Sequence, residues 1–466
     1  ERAAEMRDAL QRMRQDQVAT QARLVQFPRY RVVAETALTL ADLQQLLRPG
    51  EAYYKLAQVE DALYAIFVTQ ASARAFQLPL SAAELSTRVD GLRATISRVE
   101  RGRQVTYPFN VALAHQLFNE LFAPVAAELA AATHLIFEPD GAMLRLPPNI
   151  LVMDEAGVES YRTEVAAATR NEFDFRGMRW LGRDRDISTA VSPRAFRDVR
   201  QAPPSRASAQ YIGFGQNALP AGAVLAAGAS RRAGGDNCAW PMAAWNRPIS
   251  PAELYTARDR LAAEVGGGGE IVTGAAFTDS AIASRSDLDQ FRIIHFATHG
   301  LVNAPRAECP ARPALLTSFG AADSDGLLSF AEIFDLNLDA DIVVLSACDT
   351  AEGAGAFATR EAGVTGGGDF ALDGLVRAFV GAGARLVIAS HWPVPDTYNA
   401  TERLISGLFV APRGTGVAAA LRGSERTLMD AADTSHPYYW AGFAVIGDGT
   451  IPVIRATSAQ LASAGR

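Results

Sequence analysis

Cysteine is scarce in this 466-residue sequence: only Cys238, Cys309 and Cys348 occur. Three are too few for a disulfide scaffold, and they lack the paired spacing of a zinc site. A single bond between Cys238 and Cys309 would leave Cys348 free in an oxidising compartment, so the count leaves localisation open. No apolar run approaches the roughly 18 residues needed to cross a bilayer, and the first residues lack the apolar core of a signal peptide. The chain therefore reads as soluble, with no membrane partner. It begins with Glu1 rather than methionine, which suggests that an upstream region of the natural protein has been removed and that a targeting signal could lie there. Basic blocks are missing too: Lys and Arg total 44 against 51 Asp and Glu, a net charge of −7. Nothing suggests a nucleic-acid groove, and the expected partners are soluble polypeptides. No G-x-S-x-G elbow, H-E-x-x-H helix or fixed-period repeat occurs, which removes the motifs of a serine hydrolase, a metallopeptidase and a solenoid. No metal or cofactor is expected.

Hydrophobic residues make up 49 % and charged residues 20 % of the chain, the balance of a globular protein, and its length suits two or three domains. Residues 1–36 read as a helical N-terminal segment, with Met6, Leu10 and Met13 at helical spacing. Two strand-like runs, Tyr53 to Val59 and Ala62 to Thr69, flank Glu60 and Asp61 and predict a hairpin. Ser81 and Glu84 form a capping-box pattern ahead of Leu85, Val89, Leu92 and Ile96, which share one helix face. A second helix follows from about Asn110, then a short apolar run from His134 to Phe137. The Pro- and Ser-containing stretch Gln201 to Ala209 marks a boundary, giving an α/β half over 37–205, a second half over 206–455 and a tail over 456–466. In the second half a strand at Tyr211 to Gly215 precedes a Gly-, Ala- and Pro-rich excursion from Gln216 to Pro251. Apolar segments at Phe291 to Ala297, Ile342 to Ala347 and Arg385 to Ser390 then alternate with helical patterns, and this predicts a mainly parallel sheet.

In open parallel sheets, ligands bind outside the carboxyl ends of the strands. Two such ends carry chemistry: RIIHFATHG puts His299 and Gly300 just past one strand, and VVLSACDT puts Cys348 and Asp349 just past another. A thiol with a pKa near 8.5 is mostly protonated at neutral pH, so it needs a nearby imidazole to become a nucleophile and to protonate the leaving amine. Adjacent strand ends would bring His299 and Cys348 together. The backbone amides of Gly300 and Cys348 are the candidate donors to a developing oxyanion.

Read in order, HLIFEPDG (134–141), FRIIHFATHG (291–300), LLSFAEIFDLNL (327–338), DIVVLSACDT (341–350), LVRAFVGAGARLVIASHWPVPD (375–396) and HPYYWAGFAVIGDG (436–449) resemble a CHAT domain. That group is related to caspases and separase and often follows tetratricopeptide repeats. The likeness covers roughly residues 37–455, and the histidine precedes the cysteine by 49 positions, close to the roughly 50 of caspases. The resemblance implies an α/β, caspase-like, mainly parallel sheet flanked by helices, preceded by a related noncatalytic α/β half. It implies a cysteine endopeptidase with a His299/Cys348 dyad acting on a protein or peptide substrate. Asp396 in the WPVPD run is the candidate acidic wall of a pocket for a basic residue before the cut. An upstream repeat region or an activating partner is implied as well. Two departures stand out: Thr350 to Gly368 is longer than usual, and His391 replaces the common leucine before the tryptophan. They keep open the alternative of a catalytically silent or partner-activated scaffold of the same fold.

Each of these residues also has a plain reading. A cysteine ending an apolar strand is most often a small buried hydrophobe, and for Cys348 it is the matched histidine that outweighs this. His295 lies on the strand and reads as buried or hydrogen-bonded structure, and His115 as structural. His391 and His436 read equally as cleft or packing residues. Cys238 and Cys309 read as plain loop residues, Asp349 equally as a loop cap or as a neighbour of the thiol. Asp396 could instead cap a helix starting near Thr397.

Overall fold

The computed structural model describes residues 38–100, 103–219, 238, 240, 242–266, 268–301, 309, 312–320, 324–346, 374–392 and 397–455. The strands in chain order are β1 Glu51–Val59, β2 Ala62–Val68, β3 Ala73–Ser81, β4 Arg98–Glu100, β5 Arg103–Val105, β6 His134–Glu138, β7 Asp186–Thr189 and β8 Ala209–Asn217, followed by β9 Glu270–Gly274, β10 Phe291–Ala297, β11 Gly300–Leu301, β12 Ala314–Leu316, β13 Leu327–Ser329, β14 Ile342–Ser346, β15 Leu386–Ser390 and β16 Phe443–Gly447. Eleven of them form one sheet in the order β3-β2-β1-β6-β7-β16-β15-β14-β10-β8-β9. The strands β1, β6, β7 and β16 run parallel to one another, and so do β15, β14, β10, β8 and β9. The two sets meet antiparallel at β15 and β16.

Local chemistry explains the elements that position the site. Ser81 accepts from the amide of Glu84 while Glu84 caps back, which starts the helix Ala82–Ile96, and all four of its apolar positions are buried. Asn110 caps the helix Val111–Phe122 by accepting from the amide of Leu113. The β1–β2 hairpin turns at Glu60 and Asp61, with Glu60 in the left-handed region at φ 54°. The run β10, buried along its whole length, matches a strand covered on both faces. Another capping box, Ser329 with Glu332, starts the helix Phe330–Asp335.

One face of the sheet forms a core that runs through both halves, from Tyr54 and Phe137 to Ile293, Val344, Ile388 and Val445, under the helices 82–96, 111–122, 252–265, 400–408 and 417–429. On the other face, Ile294, Phe296, Val343 and Val387 pack beneath the helices Phe330–Asp335 and Leu375–Ala382. Tyr53, Val68 and Ile136 pack there with Leu43 and Phe196 from the helices Leu40–Leu46 and Pro193–Gln201. The expected α/β architecture, a mainly parallel sheet flanked by helices, is therefore what the chain adopts. Residues 1–37 and 456–466, read as terminal segments, lie outside the described residues.

Candidate active site

The strands β10 and β14 pair in parallel, with Ala297 beside Ser346, and the amide of Thr298 donates to the carbonyl of Ser346 at 3.3 Å. Parallel neighbours lie about 4.8 Å apart, so the chain leaves both strands side by side at the same sheet edge. His299 is the second residue past β10. Cys348 is the second residue past β14, and it lies outside the described residues together with Asp349, Thr350 to Gly368 and Asp396.

His299 is half-buried, and its Nε2 lies 2.6 Å from the carbonyl oxygen of Arg247. A carbonyl only accepts, so in the neutral ring Nε2 carries the proton and Nδ1 is an unprotonated acceptor. The carbonyl is held in place from below. Trp245, 0 % exposed, donates from Nε1 to the carbonyl of Thr317 at 2.9 Å and packs with Leu301 and Leu316. Asn217, at the end of β8, donates to the carbonyl of Trp245 at 3.0 Å. Sequence reasoning missed this carbonyl. A backbone acceptor leaves no residue signature, and the one usable signal was a large aromatic in a stretch otherwise rich in Gly, Ala and Pro.

Behind the histidine, Thr298 is buried and donates from Oγ1 to the carbonyl of Leu316 at 2.5 Å, while the amide of Leu316 donates to the carbonyl of His299 at 2.9 Å. In this antiparallel register Gly300 faces Leu315 as a non-hydrogen-bonded pair, which leaves the Gly300 amide pointing away from β12. Gly215 lets β8 close against the end of β10, since a Cβ there would stand 2.5 Å from the carbonyl oxygen of Ala297.

The other candidates have plainer surroundings. His295 is buried between the hydroxyl of Tyr211, 2.9 Å from Nδ1, and Glu253, 3.2 Å from Nε2. It is structural, as expected. His115 bridges the carbonyl of Val152 and the side chain of Asn119. His391 and His436, read equally as cleft or packing residues, are both packing residues. His391 follows β15, is buried, and lines a small cavity together with Phe137, Met143 and Leu144 of the first half, and burial, with the Arg93 charge, pushes its pKa down to about 3. In His436, Nδ1 accepts from the amide of Tyr438 and Nε2 donates to the carbonyl of Tyr107, while burial lowers its pKa to about 4. The plain-loop reading of Cys238 and Cys309 is corrected: the two form a disulfide. The bond ties the stretch leading to Arg247 to the stretch following His299. Among the described residues no group of three or more His, Cys, Asp or Glu could hold a metal ion, and no helix is long and apolar enough to cross a membrane.

Comparison with known proteins gives a match to the CHAT domain over residues 111–448, well over half of the chain. Tetratricopeptide repeat protein 28 of Mus musculus is 27 % identical over 293 residues, covering 55 % of this chain and 10 % of the mouse protein. Its Homo sapiens counterpart is 29 % identical over 232 residues, covering 43 % of this chain and 8 % of the human protein. The chain thus spans about a tenth of the length of these curated relatives. Among solved structures, the Saccharomyces cerevisiae separase–securin complex aligns with 88 % of this chain and 30 % of that chain, with a TM-score of 0.42 and 10 % identity. The complex of Porphyromonas gingivalis RgpB pro- and mature domains aligns over 79 % and 76 %, with a TM-score of 0.40 and 11 % identity.

Proposed function

We propose, from the premise that the chain belongs to the CHAT domain family, that it is a cysteine endopeptidase with Cys348 as nucleophile and His299 as general base and acid. The observation that carries the reading is the parallel register of β10 and β14, with Ala297 beside Ser346, which starts the two functional stretches from neighbouring positions. The bond from His299 Nε2 to the Arg247 carbonyl adds to it, because the unprotonated Nδ1 is then the proton acceptor.

In this reading the thiol proton of Cys348 moves to Nδ1 of His299 and the sulfur attacks the peptide carbonyl carbon. The oxyanion is met by the amides of Gly300 and Cys348. When the tetrahedral intermediate collapses, the C–N bond breaks and the leaving amine takes the proton from the imidazolium. Water then attacks the thioester, passing a proton to the same nitrogen, and the acid product leaves with the thiol restored. The Arg247 carbonyl keeps the ring in one tautomer and stabilises the imidazolium through Nε2–H. Asp396 is the proposed wall of a pocket that favours a basic residue before the cut.

The test is hydrolysis of a panel of fluorogenic peptides with basic, acidic or apolar residues before the cleaved bond, by wild type and Cys348→Ala. The reading expects cleavage by wild type alone, fastest after Arg or Lys. Cleavage that survives in Cys348→Ala would sink it. Absence of cleavage by both proteins would favour a silent or partner-activated scaffold.

A further inference from the structure

The two halves meet at the carboxyl end of β15. There the chain turns a corner at His391 and Trp392, one strand away from β14, whose continuation carries Cys348. Arg93, on the first-half helix Ala82–Ile96, crosses the seam. Its Nη1 donates to the carbonyl of His391 at 3.1 Å and to the carbonyl of Arg145 at 2.6 Å. The same corner is fixed from the second half, where the His391 amide donates to the carbonyl of Gly442 at 2.7 Å and Trp392 Nε1 donates to the carbonyl of Tyr438 at 3.2 Å. That anchor leads back to the first half, because the Tyr438 amide donates to His436 Nδ1 at 3.0 Å and His436 Nε2 donates to the Tyr107 carbonyl at 2.8 Å.

From this geometry we propose that Arg93 is a positioning residue for the peptidase site: the noncatalytic half uses it to hold the His391–Trp392 corner that borders the nucleophile's strand. The inference rests on the peptidase reading and extends it to a residue outside the second half. A guanidinium suits the task. It is charged at all relevant pH, and its donors are held in a rigid plane, so one amino group can serve two carbonyls from different halves in fixed geometry. Charge-assisted bonds of this kind are stronger than neutral ones, and their loss leaves two carbonyls in a part-buried seam short of a donor. Lysine keeps the charge but places it on a flexible stem, so it can serve one carbonyl without fixing the distance between the two.

The experiment uses the full chain as wild type, Arg93→Lys and Arg93→Ala. It reads KM and kcat on a peptide that wild type cleaves, and amide hydrogen exchange along β15 and its corner. For Arg93→Ala the expected result is a rise in KM of about tenfold with kcat little changed, the size of one lost charge-assisted hydrogen bond. Exchange should quicken at His391 and Trp392 and stay slow in β10 and β14. Arg93→Lys should recover part of the KM, which a purely structural defect would not do. An active wild type with KM and corner exchange unchanged in Arg93→Ala would overturn this inference and leave the peptidase reading standing. A wild type that hydrolyses no peptide would overturn both.

Discussion

At the scale of single residues, the decisive contact is between an imidazole nitrogen and a main-chain oxygen. Because the Arg247 carbonyl can only accept, the neutral ring of His299 is held as its Nε2–H tautomer. A long-range 1H–15N spectrum of the neutral ring should report Nε2 protonated and Nδ1 bare, and the opposite tautomer would show that the carbonyl does not set the ring. Trp245→Phe should cost about 1 kcal/mol through loss of its hydrogen bond to Thr317. It should also broaden the His299 ring signals, since the indole anchors the segment that presents the carbonyl. His299 itself was legible in the sequence because a polar residue and a glycine follow an apolar strand-length run. The carbonyl was not, because any residue could supply it. His391 was equally ambiguous, since its position after β15 suits a cleft, and only its burial at the seam, with Arg93 of the first half on its carbonyl, separates the two readings.

At the scale of elements, capping chemistry was the clearest signal, and the helices begun by Ser81 and Ser329 start where their hydroxyls and partner glutamates require. Short strands were harder to read. The strands β7 and β11 hold four and two residues, too few for a period to show, and β9, only half-buried along its five residues, lacks the continuous apolar run of β14 and β15. The disulfide between Cys238 and Cys309 joins positions 71 residues apart in the chain. Cys309→Ser should therefore lower stability by about 2–4 kcal/mol in chemical denaturation, and an unchanged midpoint would mean that the two segments are fixed by other contacts. The short helix Pro437–Trp440 makes a prediction for acid. Its cap His436 has a folded pKa near 4 against 6.5, so it binds a proton less readily when folded. Its contribution is present above pH 6.5 and is lost as the pH falls toward 4, amounting to about 3 kcal/mol across that window. His436→Gln keeps a donor and an acceptor but cannot titrate, so its stability should fall less steeply over the same range. Glu425, whose pKa burial raises, acts in the opposite sense in both proteins and cancels in the comparison. Equal slopes for the two proteins would contradict the assignment.

At the scale of the whole molecule, the two α/β halves read from the sequence share one sheet. Ile446 of β16 pairs with Thr189 of β7, and one core runs beneath both halves. Asn149 of the first half donates to the buried carboxyl of Glu425 of the second at 2.9 Å. No pattern within a segment encodes which non-consecutive strands become neighbours, so the strands and helices were legible and their union in one sheet was not. A specific protease site inserted after Pro204 should give two fragments that elute together in native buffer and separate in urea. Separation without denaturant would mean that the shared sheet does not hold them.

The central claim is that His299 and Cys348 act as a pair, and the rate of iodoacetamide alkylation of Cys348 as a function of pH tests it most directly. With Cys238 and Cys309 bonded to each other, Cys348 is the one thiol left to react in the absence of reductant. Paired with an imidazole, it should show an inflection well below the reference value of about 8.5, and in His299→Ala the inflection should return to about 8.5. A profile that is the same in both proteins would show that the imidazole does not reach the thiol and would contradict the dyad.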